Sequence, residues 1–145
     1  MDRNQFIKQC GFACLGAIGI AAITQSCSPA RQLNAPIIDN RLVIPLAAFM
    51  DKKQKGQYRR YLIVRNGQLN YPLVIYRNNG NDYTALLLRC SHQYNELNVN
   101  GELLTCAAHG SEFDTKGNVV NGPANEKLRS FAATTDSQHL YIQLA

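Results

Sequence analysis

The sequence places a thiol and an imidazole side by side twice. Cys90-Ser91-His92 is followed, after thirteen residues, by Cys106-Ala107-Ala108-His109-Gly110-Ser111. From residue 31 onward the chain has only two cysteines and three histidines, so these clusters take both thiols and every imidazole except that of His139. Four such side chains can share one task only if two short loops are held next to each other. The runs that precede the clusters, Leu86–Leu88 and Leu103-Leu104, read as strands able to present those loops as the jaws of a clamp. His139 belongs to neither cluster and reads as a surface residue of the last hairpin.

The rest of the body supports that reading. Tyr61–Val64, Leu73–Tyr76, Tyr83–Leu88, Glu112–Asp114, Val119-Val120, Phe131–Thr134 and Leu140–Gln143 are short runs rich in β-formers. They are punctuated by Asn66-Gly67, by Asn78–Asp82 and by Asp136–Gln138, which are turn compositions. Leu42–Ile44 and the apolar Leu46–Phe49 read as strands before them. No stretch of the body shows helical periodicity. The expectation is an all-β, antiparallel domain. At 145 residues, with 46% hydrophobic residues, the chain is a single globular unit and not a disordered one. It is too short for a separate large substrate domain.

Two thiolates and two imidazoles are soft-metal ligands. Tetrahedral zinc accepts such a set. Zinc fingers, however, pair cysteine with cysteine and histidine with histidine, whereas here the types alternate within each loop. A 2Fe–2S centre in which two thiolates hold one iron and two imidazoles the other fits the alternation better.

On these residues, and on Glu112-Phe113-Asp114 and Asn121-Gly122-Pro123-Ala124 downstream, the chain resembles the Rieske iron–sulfur domain over roughly residues 40–145. The resemblance implies an antiparallel β sandwich or barrel, with a small cluster-binding subdomain formed by two loops, over residues 41–145. It implies Cys90 and Cys106 as ligands of the inner iron, and His92 and His109 as ligands of the outer iron near the surface. It implies that Gly110 lets the backbone approach the cluster, that Ser111 donates its hydroxyl to a bridging sulfide, and that Pro123 covers the third side. High-potential members carry an extra cysteine in each loop; here Asn95 and Ala108 stand at those positions, so no bridging disulfide is implied. The implied function is one-electron transfer, by a carrier or a small subunit of a respiratory oxidoreductase, with a cytochrome or an oxidoreductase large subunit as redox partner. The chain has neither a second metal site nor the length for a complete oxygenase. A structural zinc module and a clusterless interaction module are the alternatives.

Residues 1–30 read as an export signal. Arg3 and Lys8 form a short positive region, Gly11–Ile23 an apolar one, and Thr24-Gln25-Ser26-Cys27 resembles a loose bacterial lipobox with Cys27 as the lipidated residue. The same segment holds 22 uncharged residues from Gln9 to Ala30, enough for an uncleaved anchor. Asp2–Lys8 also resembles a twin-arginine export signal, with Asn4 in place of the second arginine. Residues 31–40, with Pro36 and Asn34, read as a tether. The expected location is the bacterial cell envelope, membrane-attached on the periplasmic side.

The formal charge is +5. No run of five like charges occurs, and the nearest candidate for a nucleic-acid footprint is the group Lys52, Lys53, Lys55, Arg59 and Arg60. The reading of that group as a solvated loop around Gly56 is preferred, so nucleic acid is not an expected partner. The signs are nonetheless uneven. Residues 41–89 carry nine basic and two acidic residues, while residues 90–115 carry Glu96, Glu102, Glu112 and Asp114 and no cation. The acidic stretch is expected to meet a basic patch on the redox partner.

High-potential members also place a tyrosine two residues after the serine, where this chain has Phe113. One hydrogen-bond donor to the cluster is thereby absent. Voltammetry should place the potential in the lower or middle part of the range of about −150 to +300 mV; a value at the top would show that Phe113 does not have the effect assigned to it.

Overall fold

The computed structural model describes residues 32–145. The most apolar runs form its centre. β4 (Tyr61–Arg65), β5 (Leu73–Arg77) and β6 (Tyr83–Leu87) pair antiparallel in chain order. β11 (Ser130–Phe131) closes one edge beside β6, and β1 (Gln32–Asn34) closes the other beside β4. Side chains alternate across this sheet as the pleat requires. Leu62, Val64, Leu73, Ile75 and Ala85 point into one core; Ile63, Val74, Tyr76 and Leu86 point into another. A sheet apolar on both faces must be covered on both.

The first core is covered by a four-stranded sheet in the order β12 (Ala133–Thr135), β13 (His139–Gln143), β3 (Arg41–Pro45), β2 (Ile37–Ile38). Leu42, Ile44, Leu140 and Ile142 are its buried contribution. The second core is covered by β7 (Asn98–Asn100), β8 (Leu103–Thr105), β9 (Glu112–Phe113) and β10 (Val119–Asn121), a sheet of hairpins in the order β10-β9-β8-β7. Leu104 and Phe113 fill that core together with Leu88, Leu97, Cys90 and Cys106. The buried Tyr76 hydroxyl donates to the Gly101 carbonyl at 2.9 Å, pinning the β7–β8 turn to the central sheet. Burial, then the nearby Tyr61 and Glu102, push its pKa well above the ordinary tyrosine value.

The all-β expectation holds, with four local differences. Residues 31–40, expected as a tether, contribute β1 and β2 to two sheets: Leu33, Ala35 and Ile37 alternate and pack on the first core, which gives the segment a buried face. β1 pairs with β4 in parallel, so the sheet is not antiparallel throughout. Leu46–Phe49, expected as a strand, is one 3₁₀ turn. Pro45 has no N–H to continue a ladder, and the turn drives Phe49 into the core. β7 was not expected; the Asn100-Gly101 pair at its end is a hairpin dipeptide that marks it.

Gly117 sits under the second core with φ of +82°, and a Cβ there would lie 3.0 Å from Leu86 Cδ2 and 3.2 Å from Leu128 Cβ. The left-handed backbone alone costs an L-residue roughly 1–2 kcal/mol. Gly117→Ala should therefore lower the denaturant midpoint by more than an ordinary surface substitution; an unchanged midpoint would refute the packing assigned here.

Candidate metal centre

The two Cys/His loops share one backbone frame. In the first, the Cys90 N–H donates to the Asn95 carbonyl at 2.8 Å and the Tyr94 N–H returns to the Cys90 carbonyl at 2.9 Å. In the second, the Cys106 N–H donates to the Ser111 carbonyl at 2.8 Å and the Gly110 N–H returns to the Cys106 carbonyl at 2.9 Å. Each cysteine thus opens a loop closed by its fifth successor. The fourth successor is left-handed in both: Tyr94 at φ 59° and Gly110 at φ 77°. Gly110 answers that backbone demand, and a Cβ on it would meet no protein atom within 4 Å. The Arg89–Glu96 bridge closes the base of the first loop, and the Thr105–Glu112 register of β8 and β9 closes the second.

The frame sorts the side chains by depth. Cys90 and Cys106 are free thiols with exposures of 0% and 2%, and both lie in the second core. His92 is half-buried and His109 exposed. Their rings meet edge to face, with centroids 5.0 Å apart. His92 Nδ1 is buried and has no hydrogen-bond partner. Such an atom is costly unless something pairs with it.

A third loop fastens the other two together. The Ala124 N–H donates to Ser111 Oγ at 3.0 Å, and Ser91 Oγ donates to the Glu126 carbonyl at 2.6 Å. Ser111 is fully buried. Because its oxygen serves here as an acceptor, its own O–H proton remains to be donated. Pro123, exposed and preceded by a cis bond, stands immediately before the first attachment point, Ala124. His139 lies far along the chain in β13, against Asp136 and Tyr141.

Asp114 ends the second loop's hairpin. Its carboxylate accepts the backbone N–H groups of Lys116 and Asn118 and the Asn118 amide, at 2.8 to 2.9 Å. Burial acts to raise its pKa, but the hydrogen bonds from Asn118 and Lys116, with the Lys116 charge, prevail and hold it below the ordinary 3.8.

Three of the four acids expected to meet a partner also have partners within the chain, although Glu96 and Glu102 remain exposed. Glu102 pairs with Arg60, Glu96 pairs with Arg65, and Asp114 is engaged by its turn. The uneven signs along the chain are complementary charges meeting across the fold. Sequence reasoning also missed Tyr94, whose ring lies under the Arg89 guanidinium at 4.4 Å, and the Ser91–Glu126 bond. A bulky residue at positive φ is a rare conformation, which becomes visible only once the loop frame is known.

A family model described as "Rieske [2Fe-2S] domain" matches residues 49–132, more than half of the chain. A comparison with curated proteins gives no match. Among solved structures, the plasma membrane Rieske protein PetC3 of Synechocystis PCC 6803 is 22% identical, with 57% of this chain and 85% of that chain covered and a TM-score of 0.49. A chain from the complex of reduced oxygenase and oxidized ferredoxin in carbazole 1,9a-dioxygenase is 22% identical, with 74% and 95% covered and a TM-score of 0.52. Naphthalene 1,2-dioxygenase is 17% identical with a TM-score of 0.55; the similarity covers 73% of this chain and 26% of that one. The chain belongs to the Rieske family. Its cofactor is a 2Fe–2S cluster and its role is Rieske-type electron transfer. β2, β3, β12 and β13 lie outside the matched residues, so the match comprises the central strands and the cluster-side hairpins.

The lowered pKa of Asp114 has a consequence for stability. A carboxylate whose pKa is lower folded than unfolded stabilises the fold above the unfolded value, and that contribution is lost as pH falls through the folded value. Asp114→Asn should lower the unfolding free energy at pH 7, by less than about 1 kcal/mol because solvent screens the site. The gap from the parent should close below pH 3.8. A gap that persists in acid would show that its charge is not involved.

Proposed function

We propose that this chain is a one-electron carrier tethered to the outer face of a bacterial inner membrane, acting freely or as a small subunit of a respiratory oxidoreductase. In this reading Cys90 and Cys106 hold one iron, and His92 and His109 hold the other. The observation that carries it is the unpartnered, buried Nδ1 of His92, close to His109 and on the same two-loop frame as a pair of buried thiols. The donor set suits the cofactor: thiolates on the dry side, neutral imidazole nitrogens toward water.

When bound, the 2Fe–2S cluster supplies a one-electron couple. The chain's own residues set its surroundings. Ser111 is fixed through Ala124 with its O–H free to donate. Phe113 offers no hydroxyl. Gly110 keeps side-chain atoms away from the second loop's turn, and Pro123 sits on the loop that joins both jaws. His109 is the most exposed of the four ligand residues, so a partner such as a cytochrome or an oxidoreductase large subunit is read as approaching from that side.

A mononuclear zinc site would bring its donors round one ion. Here the two thiols are buried in the second core while the two imidazoles meet nearer the surface, which favours ligands divided into two pairs. Tethering is proposed from the sequence alone. Cys27 and the rest of the export signal lie outside the described residues, and among the described residues no helix is long and apolar enough to cross a membrane.

Purified protein should contain about two irons and two acid-labile sulfides per chain. After dithionite reduction it should give an EPR signal with average g below the free-electron value. Zinc without sulfide would transfer the protein to the structural alternative, and absence of all three to the clusterless one.

A further inference from the structure

The end of the domain opposite the metal centre has its own composition. Residues 50–58 form a hairpin: Met50 bridges to Tyr58, and the Asp51 N–H donates to the Gln57 carbonyl at 2.8 Å. It carries Lys52, Lys53 and Lys55, all exposed, and leads into Arg59 and Arg60. Arg77 joins them, stacked over the Tyr58 ring at 4.0 Å. The acids at this end are occupied: Asp51 accepts the Lys53 N–H, Asp82 accepts from Asn78, and Glu102 pairs with Arg60. The cations therefore predominate. Among them stand two exposed apolar side chains, Met50 at 50% and Tyr58 at 52% exposure. Beside them is a groove of about 290 Å³, lined by Leu33, Pro45, Ala47, Met50, Arg59 and Leu62.

Strand direction fixes where this end lies. β4 runs from Tyr61, at the cationic end, to Arg65, which reaches Glu96 beside the first metal loop. β8 likewise runs from the turn carrying Glu102 to Cys106. The cationic hairpin and the metal loops thus sit at opposite ends of the same strands. β1 runs parallel to β4 and starts with Gln32 beside Ile63, so the chain enters the sheet from the Tyr61 side. The 31 residues that precede β1 in the sequence include the apolar run Gly11–Ile23.

We propose that this end, centred on Lys52, Lys53, Lys55, Met50, Tyr58 and Arg59, is a docking surface for an anionic lipid bilayer, which lays the domain on the membrane with its metal loops pointing away. The proposal rests on the tethered reading above for its orientation. Basic side chains around exposed apolar and aromatic ones are what a headgroup layer accepts: cations meet phosphates, while Met and Tyr enter the interface. A tether leading into β1, whose strand direction starts from the Tyr61 side, would restrict the domain to the lipid surface and raise the effective concentration of that face.

The chain has no tryptophan, so single reporters can be placed. In the full-length protein, Tyr58→Trp reports the cationic end and Val120→Trp, on β10, reports the metal end. Each is mixed with vesicles of brominated phosphatidylcholine, with and without phosphatidylglycerol. Sedimentation with the neutral vesicles reports the tether; quenching reports the face. The expected result is quenching of Tyr58→Trp that requires phosphatidylglycerol, none for Val120→Trp, and loss of quenching at high salt or on adding Lys52→Glu, Lys53→Glu and Lys55→Glu. The salt arm needs no second substitution and stands even if the triple variant misfolds. Sedimentation without quenching at position 58, or equal quenching at both positions, overturns the docking surface and leaves the tether. Charge-dependent quenching without sedimentation on neutral vesicles keeps the surface and overturns the tether. Binding to neither vesicle overturns both.

Discussion

Everything at the metal end depends on one small piece of backbone geometry used twice. A buried cysteine gives its N–H to the carbonyl five residues on, and its own carbonyl takes the N–H four residues on. These two bonds fix the thiol inward and leave the intervening histidine at the rim. The frame satisfies polar backbone groups that burial of the cysteine would otherwise leave unpaired. It needs a left-handed residue at its fourth position. Gly110 supplies this without strain; Tyr94 supplies it at a cost, and its ring is held by stacking with Arg89. A position that tolerates such a cost is held there by its surroundings, in this case by the Cys90 carbonyl that takes its N–H and the Arg89–Glu96 bridge beside it.

The cysteines also belong to the core. They pack with Leu86, Leu88, Leu104 and Phe113 as small apolar groups. Folding of the two loops is therefore coupled to burial of the second core, in contrast to a small zinc module whose fold rests on the ion. The ion pairs joining β4 to the hairpins add little energy, since Arg60–Glu102 and Arg65–Glu96 are both solvent-exposed. Their use is registration: one pair fastens each end of the metal subdomain to the central sheet.

How far the sequence could be read depended on whether a signal was local. Tyr61–Val64, Leu73–Tyr76 and Tyr83–Leu87 declared themselves because β-formers in short runs between turn dipeptides have few other uses. The four candidate ligands stood out because cysteine and histidine are otherwise so scarce in the body. Residues 32–38 were read as a tether because Pro36 and Asn34 outweigh three alternating apolar residues until a sheet exists for these to pack on. Leu46–Phe49 is apolar enough for a strand, but Pro45 withholds the bond that would extend one. The Ser91–Glu126 and Ser111–Ala124 bonds join segments far apart in sequence and carry no local mark. The pairs Arg60–Glu102 and Arg65–Glu96 carry no local mark either, because nothing in linear order places these residues opposite one another.

The same strands that position the metal loops also separate them from the chain's entry. β4 and β8 each have one end in the metal subdomain and the other at the cationic hairpin, so the two ends are set apart by rigid sheet rather than by flexible linker. A redox protein confined to a surface can meet a partner only if its exposed ligand side is not the side that is confined. In the tethered reading proposed above, a chain that enters through β1, parallel to β4, meets this condition through connectivity alone. The one parallel pair in an otherwise antiparallel sheet is the feature that brings the chain in from the end away from His92 and His109. Had β1 run antiparallel to β4, the same sequence would have joined its N-terminal segment beside the metal loops.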